Sequence, residues 1–174
     1  MWNYILLIHP TTGVFGIMCA LWLLVEAYNV SPGNIARIRL AARLAALLMA
    51  LTWVSAGIFY TLHYGKAEQP FIVHGPWPWA HDFFMETKEH LFFLTLVLTF
   101  FLPFAVKSDL LASRGARNVV RATAALVVLS GVAIEGAGAI ISMGAKVAYM
   151  DLAAKAATTA AAPAATTPAV PAAK

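Results

Sequence analysis

Apolar residues fill four long stretches, roughly 4–28, 40–63, 88–106 and 119–145, and polar residues gather between them. A helix rising about 1.5 Å per residue needs about 20 residues to cross the hydrocarbon core of a bilayer, and each stretch approaches or exceeds that length. The pattern predicts an all-α integral membrane protein, an up-down-up-down four-helix bundle over residues 1–150. Ser31, Pro32, Gly33 and Asn34 supply turn chemistry, so the first two helices form an antiparallel hairpin. The connection from Tyr64 to Thr87 is much longer and carries His74, Pro76, Trp77, Pro78, Trp79 and His81. Such an aromatic segment is expected to lie on the outer membrane interface. From Asp151 to Lys174 the chain is an Ala/Thr/Pro-rich tail, expected to start as a frayed helical extension and to be disordered past Pro163, Pro168 and Pro171.

Composition agrees. Of 174 residues, 61% are hydrophobic and 11% charged, with a mean hydropathy of +0.76, more apolar surface than a soluble core of this size can hide. The start lacks a basic region and runs into an apolar stretch too long for a cleaved signal, so the first helix is expected to be retained. Lone Cys19 excludes an internal disulfide. The net charge of +4 is not a nucleic-acid signal, because the basic residues cluster at helix ends. Arg37 and Arg39 lie between the first two stretches, with Arg43 in the first turn of the second; Lys107, Arg114 and Arg117 lie between the last two, with Arg121 in the first turn of the fourth. The positive-inside rule makes both regions cytoplasmic and both termini periplasmic, in a bacterial inner membrane. Lys66, Lys88, Lys146, Lys155 and Lys174 oppose that orientation.

The candidate chemistry lies in His9, His63 and His90, each near the outer end of a different helix. With the expected topology the three imidazoles form one layer. Neutral imidazoles at one depth suit a haem iron or another metal such as copper. Gly13, Gly16 and Ala20 follow His9 on its face and leave a smooth groove for a macrocycle, although such stripes also let bare helices approach closely. Glu86 precedes His90 by one turn, so its carboxylate is expected to orient that ring from behind. His74 and His81, with Asp82, Glu86 and Glu89 close by, match no strong metal signature.

Glu135 is the other costly residue. It lies about 21 Å from Arg121 along the helix, near the bilayer centre, where a carboxylate must face the bundle interior or be protonated. It reads as a proton relay, a group that binds a quinone or cofactor edge, or a neutral acid bonded across helices. Gly131, Gly138, Ser142 and Ala145 share its face. Glu26, nearer the inner interface, is expected to snorkel or to pair with an arginine of the adjoining loop. The cytoplasmic half has no histidine, which excludes a second bis-histidine haem there, and the chain contains no CxxCH, Walker loop or dinucleotide fingerprint.

His9-Pro10 in the first helix, the run from Phe59 to Gly65 closing the second, and Lys88, Glu89, His90 and Leu91 opening the third resemble small four-helix membrane proteins of the b-type cytochrome kind. The same layout is similar to several uncharacterised integral membrane families. The cytochrome resemblance covers about residues 4–148 and implies haem b held by a pair among His9, His63 and His90, with quinone-linked electron transfer. The expected function is then a membrane electron-transfer subunit that passes electrons from quinol through one haem to a periplasmic-side partner, within a larger membrane complex and a quinone-linked oxidoreductase. The alternatives are a cofactor-free structural or assembly subunit and a metal or proton permeation protein using Glu135 and the outer histidines.

Overall fold

The computed structural model describes residues 2–161, which are helical throughout apart from short turns, with no strand among them. Helices α1 (Trp2–Glu26), α2 (Ile35–Phe59), α5 (Glu86–Ala105) and α6 (Arg114–Ala161) are the long elements. Each belongs to a segment long and apolar enough to cross a membrane. Large apolar side chains such as Leu7, Phe15, Phe93, Phe104 and Leu129 stand exposed around the bundle, an apolar belt that suits a lipid surround.

Helix α1 packs against α2 and α6, and α5 packs against α6 and α2, closing a ring of four. At one end the turn between α1 and α2 is held by buried Asn34, whose side-chain amide donates to the Glu26 carboxylate at 2.8 Å and to the Asn29 carbonyl at 3.1 Å. Arg37 then pairs with Glu26 at 2.6 Å, the partnership expected for that carboxylate. Arg121 of α6 donates to the carbonyls of Ala27 (2.7 Å) and Tyr28 (3.1 Å), capping the end of α1. Ser113 caps the start of α6 through the Ala116 amide.

Above these contacts lies a dry core of Ala20, Leu23, Ile38, Ala41, Ala42, Ala45, Leu102, Val106, Leu110, Val120, Ala124 and Val127. Many of its members are alanines, so the backbones approach closely, as Gly16 does against Ala45 and Met49.

The helices outrun the apolar stretches that signalled them. α2 and α6 begin at Ile35 and Arg114 rather than 40 and 119, because the backbone ladder continues beneath arginines whose long stems carry their charge outward. α6 also continues to Ala161, so residues 151–161 of the tail are helical, supported by an Asp151–Lys155 ion pair one turn apart. The expected disorder past Pro163 lies outside the described residues.

The long connection is not a simple loop. The turn of α2 widens to a π-helix over Tyr60–Tyr64, followed by α3 (Gly65–Ala67) and α4 (Gln69–Val73). A second π-turn, Ala80–Met85, leads into α5. Tyr64, Ile72, Ala80 and Met85 bury themselves against Ile141 and Ala145 of α6, a small second core that caps this end of the bundle. Gly144 is required there, since a Cβ on it would stand 2.6 Å from that of Ala80.

Candidate functional site

Polar side chains converge between α1, α5 and α6, about 20 Å along α1 from Glu26. Lys88 is the third residue of α5 and shares a heptad stripe with buried Thr95 and Leu102, so it faces inward. Its ammonium lies 3.3 Å from the position a Cβ would take on Gly138, so the absence of a side chain on α6 makes its room. Glu135 lies one turn earlier on α6, and its carboxylate occupies the notch at Gly13, 2.7 Å from where a Cβ there would sit. The charges of Lys88 and Glu135 act on one another, yet the two form no direct ion pair. His9 is the third member: its Nδ1 meets the Thr52 carbonyl at 3.3 Å, and the charge of Lys88 acts on its ring. Thr52 and Thr12 join their hydroxyls at 2.9 Å across α1 and α2 beside it.

Glu89 is next to Lys88 on α5 but points toward the π-turn of α2. One of its oxygens, Oε1, is buried with no hydrogen-bond partner, while its charge reaches Lys88 and the Tyr60 hydroxyl.

Below this cluster the helices carry no Asp, Glu, Lys, Arg or His over 10–25, 44–62, 91–106 and 122–134. The hydroxyls present there are turned onto helix backbone or one another: Thr99 donates to the Thr95 carbonyl at 2.6 Å, Thr95 to Ser130 at 2.7 Å, and Ser130 to the Leu126 carbonyl at 2.7 Å. The route toward the arginine-bearing end is therefore closed by apolar packing and satisfied hydroxyls.

The three histidines of the expected layer have three different surroundings. His9 is half-buried in the cluster; His63 lies on the π-turn, its ring 5.3 Å from that of Phe59, with Glu68 within reach of its charge; His90 is exposed, its Nδ1 2.7 Å from the Glu86 carbonyl. Two expectations change accordingly. The Glu86 side chain is exposed, and it is the main-chain oxygen of Glu86, one turn earlier on α5, that meets the His90 ring. The stripe of Gly13, Gly16 and Ala20 is filled by α2 and by the Glu135 carboxylate, which leaves no groove for a macrocycle. Among the described residues no group of three or more His, Cys, Asp or Glu side chains gathers to hold a metal.

In the cap, His81 is buried, with Nδ1 3.0 Å from the Tyr64 hydroxyl and Nε2 3.0 Å from the Gln69 amide. Both ring nitrogens are engaged, which fixes the cap. Its neighbour Glu68 is held above the ordinary carboxylate range by burial, opposed by His63. His74 bonds the Pro70 carbonyl at 2.8 Å on the surface, and Asp82 is exposed. Sequence reasoning missed Lys88 as a site residue, counting it only among the lysines that oppose the expected orientation; the heptad spacing to Thr95 and Leu102 was the available signal.

Set against known proteins, the chain matches no family model, no curated protein and no solved structure.

Proposed function

We propose that this chain is a small integral membrane subunit, an up-down-up-down bundle in which Lys88, Glu135 and His9 bind and release protons on one side of the bilayer. The observation that carries the reading is geometric: the Lys88 amine in the space left by Gly138 and the Glu135 carboxyl in the notch at Gly13 face one interior from two helices without forming an ion pair. A carboxylate alone at this depth costs at least about 2.5 kcal/mol, and a nearby cation offsets that cost. A pair in direct contact resists proton exchange; a looser set with an imidazole beside it can share a proton among three groups.

Contacts of α1 with Arg37 and Arg121 at one end, and of Tyr149 with the Ala67 carbonyl at the other, support the alternating topology. With the arginine-rich turns in the cytoplasm, the termini and the residue 64–87 cap are periplasmic in a bacterial inner membrane. The proton site is then in the outer half, above a dry inner half. That geometry favours exchange with the periplasm over permeation and suits a subunit of a larger complex that releases protons outward, as quinol oxidation requires.

A hydrophobic carbodiimide tests this, because it modifies protonated carboxyls in apolar surroundings. Glu135 should be labelled in the purified protein, and more heavily in Lys88→Met, while proteoliposomes should hold a pH gradient. Failure to label Glu135 at any pH, or sustained proton flux, overturns the reading.

A second reading is electron transfer through haem b. It is favoured by the anchoring of His9 and His90 through Nδ1 to main-chain carbonyls, the arrangement that leaves Nε2 available as a ligand. His90 faces outward and His9 inward, so a haem on either would need a ligand from elsewhere. A reduced-minus-oxidised spectrum without a haem b signal after haem-sufficient expression removes it.

A further inference from the structure

We infer that Glu89 is the relay through which the Lys88–Glu135 site exchanges protons with water on the capped side, a role that rests on the proton-handling reading above. Its Oε1 is buried without a partner, and such an oxygen is costly unless a proton or water satisfies it in turn. The groups around it run from surface to interior. Glu86, one turn outward, is exposed and its charge reaches Tyr60. Tyr60 and Tyr64 face Glu89 from the π-turn of α2, their rings stacked 5.5 Å apart, and Tyr64 is tied to His81 of the cap. Lys88 is the cation on the inner side, and beyond it on α6 is Glu135.

The transfer balances in two steps. A hydronium ion protonates the Glu89 carboxylate and leaves water. Neither carboxyl is in ion-pair contact with Lys88, so each following transfer passes through one bridging water: the Lys88 ammonium gives a proton to the Glu135 carboxylate and takes one back from the Glu89 carboxylic acid, which restores both Lys88 and Glu89. The return path releases the proton to water by the same groups.

The test is a pH jump on the full chain in nanodiscs, with the carboxylic-acid infrared band of Glu135, assigned by its loss in Glu135→Gln, followed in time. Glu89→Gln should slow the appearance of that band by about a hundredfold, the range of a removed proton-transfer group, and Asp82→Asn, at an exposed carboxylate off this path, should leave the rate within about twofold. Should Glu89→Gln not fold, Glu89→Asp, which keeps the acid but draws it back by one methylene, should slow the band by about tenfold or more. An unchanged rate in whichever of the two variants folds overturns the role of Glu89. If the unmodified protein lacks a titrating Glu135 band, the proton-handling reading itself has failed, and the relay falls with it.

Discussion

At the residue scale, Lys88 and Glu135 each make the other tolerable. Replacing Lys88 by Met leaves a carboxylate with no cation nearby, and replacing Glu135 by Leu leaves an ammonium; each should cost about 1–3 kcal/mol. Lys88→Met combined with Glu135→Leu should melt above either single variant, which a thermal melt in detergent reads as non-additivity. Gly13→Ala is a finer probe. Its methyl would collide with the far end of the flexible Glu135 side chain, so the fold should survive while the titration of Glu135 shifts. In the cap, Glu68 binds its proton more tightly folded than unfolded, because burial disfavours its charge. Cap stability should therefore be fully present below the ordinary carboxylate range, about pH 4.3, and fall as pH rises through the raised value. Glu68→Gln should flatten that part of a stability–pH curve.

At the element scale, the two π-turns separate what hydropathy reveals from what it does not. Four long helices were legible, because about 20 apolar residues in a row have few other uses. Their ends were not, since a window of hydropathy marks where lipid would begin, while the hydrogen-bonded ladder runs on beneath Arg37 and Arg114 and out to Ala161. The cap was invisible for a related reason. Tyr64, Ile72, Ala80 and Met85 have no common period, and only the fold brings them to Ile141 and Ala145. His81 joins this cap by its two ring nitrogens, so His81→Leu should strand Tyr64 and Gln69 and destabilise the cap by about 1–3 kcal/mol. Hydrogen exchange confined to residues 64–85 would register the loss. Glu135 was legible from its depth alone, whereas Lys88 was hidden by its position near a helix start.

At the scale of the whole molecule, the chain divides into a dry end and a polar end. Arg121 ties α6 to α1 at the dry end, and Arg121→Ala should lower stability by about 1–2 kcal/mol through two lost hydrogen bonds to carbonyls, without altering the Glu135 band. The separation of effects is itself checkable: melting temperature should move and proton kinetics should not.

The dry core of alanine, leucine and valine has an electrical meaning. An insulating layer takes most of any voltage applied across a bilayer, and this one occupies about 20 of the about 30 Å. A charge reaching Glu135 from the opposite side then crosses at most about a third of the field, about 0.8 kcal/mol per 100 mV. Occupancy of the carboxyl should follow chiefly the acidity of the compartment it faces, with the voltage of an energised membrane shifting it by at most about fourfold per 100 mV.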